Sequence, residues 1–140
     1  MVSRDEADRA GARDLSVAGA HIVFDHVDFR YDAGREILKD VSFEIRPGET
    51  VAVVGPSGAG KSTLARLLFR FYDVSAGAIT IDGTDVRDVT QASLRRAIGT
   101  VPQDTVLFND TIRYNIAYGR PDAGEEEIVA AAKVAQIHEF

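Results

Sequence analysis

The chain contains no cysteine, which excludes a disulfide framework and a thiolate metal site. It also has no apolar run approaching the roughly 18 residues that a membrane-spanning helix requires. Its first residues, MVSRDEADRAGARD, lack the apolar core of a secretory signal. The basic residues form no stripe and the formal net charge is -6, so a nucleic-acid partner is not expected. Any membrane role would therefore have to come through a partner.

The first part of the chain is expected to form antiparallel strands after a polar segment. Residues 1–19 are polar and show no sustained period, and we interpret them as a linker or disordered tail. From His21 the apolar residues alternate, with a one-residue slip that predicts a bulge near Asp25 and His26. Residues 41–45 alternate again, and the proline and glycine of residues 46–49 predict a turn.

The rest of the chain reads as an α/β pattern. The β-branched run of residues 50–54 predicts a strand buried on both faces of a parallel sheet. Apolar residues from Leu64 to Phe71 recur at helical spacing. We expect further elements as follows: a strand and tight turn over 78–83, a short helix capped by Thr90 and ended by Gly99, a strand at 100–101, a partial helix within 110–118, and a last helix from Glu125 with Ile128, Ala131, Ala132 and Ala135 facing inward.

Residues 55–62, GPSGAGKS, match the pattern G-x-x-x-x-G-K-[ST] between the predicted strand and the predicted helix, and Thr63 extends the match. Glycine permits backbone conformations that let phosphate oxygens approach the N–H groups, and the helix N-terminus favours an anion. A lysine at the seventh position reaches the β- and γ-phosphates, and the following hydroxyl binds Mg²⁺. The alternative is a turn that only joins strand to helix. The predicted ATP-binding residues of this loop are Gly55, Pro56, Ser57, Gly58, Ala59, Gly60, Lys61, Ser62 and Thr63.

Two longer stretches resemble the nucleotide-binding domain of ABC transporters of the exporter type. They are FRYDAGREILKDVSFEIRPGETVAVVGPSGAGKST and GAITIDGTDVRDVTQASLRRAIGTVPQDTVLFNDTIRYNI. A finer similarity, in LARLLFRFYDVSAG and YNIAYGRPDA, is to the Atm1-type subgroup, which is associated with the export of iron–sulfur species, heavy metals or glutathione conjugates. The resemblance covers nearly the whole chain. It implies that residues 20–140 are the N-terminal part of an ATP-binding domain, with an incomplete P-loop (RecA-like) α/β core and an antiparallel β subdomain.

The resemblance also assigns roles beyond the loop. Tyr31 would be the aromatic that stacks on adenine, although its phase with Val27 and Phe29 equally suits the last residue of a strand. Gln103 would contact Mg²⁺ and the attacking water, although the sequence alone favours a polar residue that ends a strand after Pro102. Residues Asp104 to Tyr118 would face the transmembrane domain of an exporter, and a second nucleotide-binding domain would complete a head-to-tail dimer. The implied location is the cytoplasmic face of a membrane.

Several parts of the family's ATPase machinery do not occur in these 140 residues. They are the LSGGQ-like signature, the Walker B aspartate with its catalytic glutamate, and the later switch histidine. We therefore expect the chain alone to bind Mg-ATP weakly, with negligible hydrolysis. The alternative is a non-catalytic nucleotide-binding or docking module from a truncated gene. The three histidines (21, 26 and 138) have no metal-binding spacing, and a small-molecule kinase would need a lid that the Arg95–Arg96 pair does not supply.

Overall fold

A computed structural model describes residues 7–32, 34–102 and 107–138. The chain divides into two compact units, Met1–Thr100 and Val101–Phe140. Within the described ranges, no helix combines the length and apolarity needed to cross a membrane.

The first unit is built on an antiparallel sheet, as the alternating pattern predicts. Its strands are β1 (Ile22–Arg30), β2 (Glu36–Ile45), β3 (Ala76–Ile81) and β4 (Thr84–Asp85). Their order across the sheet is β2-β1-β3-β4, and each neighbouring pair is antiparallel. The long strand β1 therefore lies in the interior of the sheet, with a neighbour on each side.

The predicted bulge in β1 is confirmed. The register with both neighbouring strands shifts after Phe24 and Asp25, and His26 adopts a φ of 47°. Because one residue is inserted, Phe24 and Val27 both point into the core despite their odd spacing. The predicted turn is also present, since the Glu49 amide donates to the Arg46 carbonyl oxygen at 3.0 Å.

Two α-helices and a 3-10 turn pack on the sheet in the first unit. Helix α1 spans Lys61–Leu68, the 3-10 turn spans Val86–Asp88, and α2 spans Gln91–Ala97. Thr90 caps α2 as predicted, because its Oγ1 accepts from the Ser93 amide at 3.3 Å. The buried apolar core of this unit consists of Phe24, Val27, Phe29, Leu38, Leu67, Ile79, Ile81, Val86, Val89 and Leu94.

Two predicted strands are absent from the described structure. Residues 50–54 and 100–101 form no strand, and Val54 and Val101 are 87% and 94% exposed. The prediction of a doubly buried strand was wrong here for a physical reason. A strand forms only by pairing, and strands β1 to β4 pair with one another and not with these segments. The α/β class nevertheless holds.

The segment before β1, residues 7–20, is called the strap below. It forms neither a helix nor an extended strand, yet it is hydrogen-bonded to the body of the first unit. The Asp82 carboxylate accepts from the amides of Ala18, Gly19, Ala20 and His21 at 2.8–3.2 Å. The Thr90 amide donates to the Arg13 carbonyl oxygen at 2.8 Å. The interpretation of residues 1–19 as a linker stays a prediction.

Arg70, just after α1, is a buried charged residue with 1% exposure. Its guanidinium donates to Asp73 Oδ1 at 2.8 Å and to the carbonyl oxygens of Val89 and Ala7 at 3.3 and 3.1 Å. A buried charge is tolerated when it is paired and hydrogen-bonded. Arg70 therefore joins the end of α1, the loop before α2 and the strap.

The second unit contains α3 (Ile112–Ala117) and α4 (Glu125–Val134). Both helices lie where the sequence predicts helical segments. Glu125, Glu126 and Glu127 occupy the first turn of α4. Ile128 and Ala132 of α4 are buried, as expected. Ala131 and Ala135 are exposed, so their predicted inward orientation was wrong. Ile128 and Ala132 are four residues apart and so lie on one face of α4.

Candidate functional site

The glycine-rich loop enters α1 through Gly60. Gly60 precedes the helix with φ 86°, a left-handed conformation that favours glycine. A Cβ on this residue would lie 2.7 Å from Leu38 Cδ2 of strand β2. The left-handed conformation is the stronger reason for glycine at this position, because the contacted atom is the end of a flexible side chain. Gly58 also has a positive φ, of 81°, but it has open space around it.

Lys61 closes the loop on itself. Its Nζ donates to the carbonyl oxygens of Gly55 and Pro56, each at 2.7 Å. The Ala59 amide also donates to the Pro56 carbonyl oxygen, at 3.2 Å. The ammonium group therefore lies over the loop, at the N-terminal end of α1, where the helix dipole is positive. These two positive contributions make the loop an attractive place for an anion.

Tyr31 lies beside this loop, one residue after the end of β1. Its ring meets Phe29 and Tyr72 at near-perpendicular angles, with centroid distances of 4.8 and 5.0 Å. Its phenol oxygen lies 3.1 Å from Thr63 Oγ1, and Arg66 Nη1 donates to it at 3.0 Å. The residue is 41% exposed, so part of the ring faces solvent. The aromatic side chain is thus tied to the helix that follows the loop.

Tyr31 and the loop surround one depression of about 380 Å³. The depression is about large enough for a drug-sized ligand. Its wall combines an aromatic and an aliphatic side chain with the loop and the first turns of α1. The residues that line it are Tyr31, Ile37, Ser57, Gly58, Gly60, Lys61, Ser62, Thr63 and Arg66. The predicted residues Gly55, Pro56 and Ala59 build the remaining backbone of the loop.

The chemistry of this depression is cationic and hydroxylic. Lys61 supplies a positive charge at the loop. Arg66 lines the depression with its guanidinium bonded to the Tyr31 phenol oxygen, and this hydrogen bond raises the pKa of Arg66. Ser62 is an exposed hydroxyl on the first turn of α1 and lines the depression, where it can serve as a Mg²⁺ ligand. Such a site suits a polyphosphate with a bound divalent cation.

Other predicted functional residues lie elsewhere or cannot be placed. Gln103 lies outside the described residues, as does the start of the predicted membrane-domain contact at Asp104. In the described part of that contact, Phe108 packs on Tyr118 and Tyr114 with centroid distances of 4.2 and 5.9 Å, and all three rings are partly exposed. The exposed rings form an aromatic surface in the second unit.

Two of the three histidines lie beside carboxylates. The His21 Nε2 lies 3.1 Å from Glu44 Oε2, and His26 Nδ1 lies 2.5 Å from Asp40 Oδ1. The hydrogen bond with Asp40 raises the pKa of the exposed His26 above its usual value.

Arg66 is the site residue that the sequence analysis did not identify. It follows Ser62 by four residues on α1, and this spacing places both on one face of a helix. The four-residue spacing from Ser62 is enough to predict that Arg66 lies near the loop. Its contact with Tyr31 depends on where β1 ends, which the helix pattern does not reveal.

Comparisons with known proteins agree with this geometry. A model of the ABC transporter family matches residues 38–140. The chain is 61% identical over 94% of its length to human ATP-binding cassette sub-family B member 6, and 60% identical over 96% to an ATM1-type heavy metal exporter of Novosphingobium aromaticivorans. A solved bacterial Atm1-family ABC exporter with ATP bound superposes with a TM-score of 0.93, over 97% of this chain at 60% identity.

These proteins are much longer than the chain. It spans 16% of the human protein, 22% of the Novosphingobium protein and 24% of the solved exporter. The predicted resemblance to exporters of the Atm1 type is confirmed. With a family model matched over most of its residues and relatives near 60% identity, the chain belongs to the ABC transporter family.

Proposed function

We propose that the chain is the ATP-binding part of an ABC exporter and that it binds Mg-ATP in the depression beside Tyr31. The observation that carries this proposal is the meeting of an aromatic ring and a cationic glycine loop around one cavity. A base needs an apolar face on which to stack, and a triphosphate needs N–H groups and a cation. The similar exporter that was solved with ATP bound supports the same assignment.

The position of each residue around the depression determines its proposed role in binding Mg-ATP. The loop amides and Lys61 hold the phosphates, and Ser62 holds Mg²⁺, which supplies charge neutralisation between phosphate oxygens. Lys61 is already turned toward the loop carbonyls, so it exchanges those two hydrogen bonds for phosphate oxygens. Tyr31 provides the stacking surface for adenine. Gln103 is proposed as the Mg²⁺ and water contact on family resemblance alone.

The proposed partners follow from the family. The aromatic surface formed by Phe108, Tyr114 and Tyr118 lies within the stretch proposed to contact a transmembrane domain. A second nucleotide-binding domain would pair with this one at the cytoplasmic face of the membrane. Two relatives are a heavy metal exporter and, in Schizosaccharomyces pombe, a heavy metal tolerance protein, so heavy metals or their conjugates are the proposed cargo class.

We further propose that these 140 residues hold ATP without hydrolysing it at a useful rate. Of the described residues that line the depression, none carries a carboxylate that could orient an attacking water. In phosphoryl transfer the protein contributes positioning and charge stabilisation, so a site that fixes phosphates without orienting water favours binding.

The test is the affinity of the chain for Mg-ATP, measured by titration calorimetry, with and without the Lys61 ammonium. Lys61→Ala should weaken binding roughly 10- to 100-fold, because hydrogen bonds to a charged group contribute about 1.5–3 kcal/mol. The matched control is Lys39→Ala, which removes an exposed lysine of β2 outside the depression and should change nothing.

Phosphate release is followed in the same samples. Wild type and Lys61→Ala should both remain at background. Absence of Mg-ATP binding by the wild-type chain would overturn the proposed binding function. Turnover that Lys61→Ala abolishes would overturn the proposal that the chain does not hydrolyse ATP.

A further inference from the structure

The phenol oxygen of Tyr31 is held from two sides by a single turn of α1. Thr63 Oγ1 lies 3.1 Å away and Arg66 Nη1 donates at 3.0 Å. A guanidinium has only donors, so the phenol oxygen accepts from Arg66, and either hydroxyl can donate in the contact between Tyr31 and Thr63. Thr63 is buried, with 5% exposure, and therefore offers a fixed point. The three side chains form a short hydrogen-bonded chain from the helix to the ring.

From this arrangement we infer that Arg66 is a positioning residue for the nucleotide site, one that acts through Tyr31. The inference rests on the proposed function, since it concerns how the stacking ring is held. Tyr31 follows the end of β1 and is 41% exposed, so packing covers it only in part. The hydrogen bonds fix the ring relative to α1, and the same helix begins at Lys61. The hydrogen bonds therefore fix the distance between the Tyr31 ring, on which the base stacks, and the phosphate loop.

Arg66 holds the Tyr31 ring in place before any nucleotide binds. A ring that is already held in its binding orientation loses little conformational freedom when the base stacks on it. Arg66 itself is exposed and long, and the charge-assisted hydrogen bond offsets the cost of ordering it. Removing this bond should release the ring without altering the phosphate loop, because Lys61 bonds to Gly55 and Pro56 independently of Arg66.

Arg66 also lines the depression, so a direct contact with the nucleotide is the rival to be tested. The two cases differ in how they depend on the Tyr31 hydroxyl. A positioning role vanishes once that hydroxyl is removed, whereas a direct contact persists. They also differ in the ligand: inorganic tripolyphosphate uses the phosphate loop and has no base, so a residue that acts through Tyr31 should not affect it.

The experiment is a double-mutant cycle on the 140-residue chain with Arg66→Met, Tyr31→Phe and the double variant. Affinities for Mg-ATP and for magnesium tripolyphosphate are measured by calorimetry. Each single variant should weaken Mg-ATP about fivefold, the magnitude of one lost hydrogen bond, and the double variant no further than either single one. Tripolyphosphate affinity should stay within about twofold of wild type, since the phosphate loop is unchanged. Arg66→Lys, which keeps a charged N–H donor, should restore most of the ATP affinity.

Arg96→Met is the matched control, because it removes an exposed arginine from α2, away from the depression. Urea unfolding of every variant shows whether the fold is retained. An unchanged ATP affinity in Arg66→Met, or an equal loss in the Tyr31→Phe background, would overturn the positioning role while leaving the proposed function intact. A comparable loss for tripolyphosphate would also overturn it. A wild-type chain that binds tripolyphosphate but not Mg-ATP would overturn the proposed function, and the positioning role with it.

Discussion

Gly77 shows how one residue shapes the sheet of the first unit. It lies in β3 with φ 76°, and a Cβ built on it would fall 2.2 Å from the His26 carbonyl oxygen and 2.4 Å from that of Asp25. These carbonyls belong to the bulge of β1. Because backbone atoms cannot move aside as a flexible side chain can, the bulge requires glycine opposite it.

Gly77→Ala should therefore destabilise the fold more than an alanine at another left-handed glycine. Gly83 is the matched control, since its φ is 78° and nothing lies within 4 Å of an added Cβ. Gly83→Ala should cost about 1–2 kcal/mol from backbone conformation alone. Gly77→Ala should cost about 1–3 kcal/mol more from the clash.

Urea unfolding monitored by circular dichroism gives both free energies. Equal losses for the two variants would show that β1 and β3 approach less closely than the structure indicates.

At the residue scale, the sequence predicted the features that depend on neighbouring residues in the chain. The slip in alternation placed the bulge at Asp25 and His26, and Thr90 was recognisable as a helix cap from its position before the helical pattern. The sequence did not show that Gly77 lies against the bulge, or that Arg66 reaches Tyr31. Both contacts join residues separated by 35 or more positions, so they depend on the tertiary arrangement.

At the scale of elements, the Asp82 carboxylate holds the end of the strap that leads into β1. The pKa of Asp82 is lowered to about 2 by hydrogen bonds from the backbone amides, that of His21 first and then those of Gly19 and Ala18. A carboxyl whose pKa is lower in the folded chain than in the unfolded one stabilises folding when it is ionised. Its contribution is complete above about pH 4 and is lost as the pH falls through about 2.

Asp82→Asn should accordingly loosen the strap at neutral pH, because an amide offers only one acceptor oxygen for these donors. Asp88→Asn is the control, since Asp88 also bonds the strap, through an exposed ion pair with Arg9 at 2.7 Å. Exposed pairs contribute little, so this change should be nearly silent.

Hydrogen exchange of the amides of residues 18–21 is the measurement. In the wild type, protection should disappear between pH 4 and pH 2, and in Asp82→Asn it should be low throughout. Protection in the wild type that persists well below pH 2 would contradict the role of the Asp82 carboxylate.

The β-branched run of residues 50–54 marks the limit of element-level prediction. Its composition indicates a buried strand, but Val51, Val53 and Val54 are 44%, 50% and 87% exposed. A β-branched composition favours a strand, but a strand forms only where a neighbouring strand is available for pairing. Strands β1 to β4 pair in the order β2-β1-β3-β4, and the run before the loop pairs with none of them.

For the molecule as a whole, the sequence resemblance predicted the family, and the comparisons confirm it. The antiparallel sheet and the α/β class also followed from the sequence. The depression was not predictable from the loop alone. It requires that the chain leave β1 beside α1, so that a ring at Tyr31 faces a loop that follows 24 residues later. The central claim of the account is that these two features bind one nucleotide.

The most direct measurement of that claim is a titration of the ¹⁵N-labelled chain with Mg-ATP, followed by NMR. The amides of Gly58, Gly60 and Tyr31 should shift together along one binding curve, because they border one depression. The amide of Gly83, in the turn between β3 and β4, should stay in place. Shifts confined to the glycine loop, with Tyr31 unaffected, would contradict the claim, as would an absence of any shift at millimolar Mg-ATP.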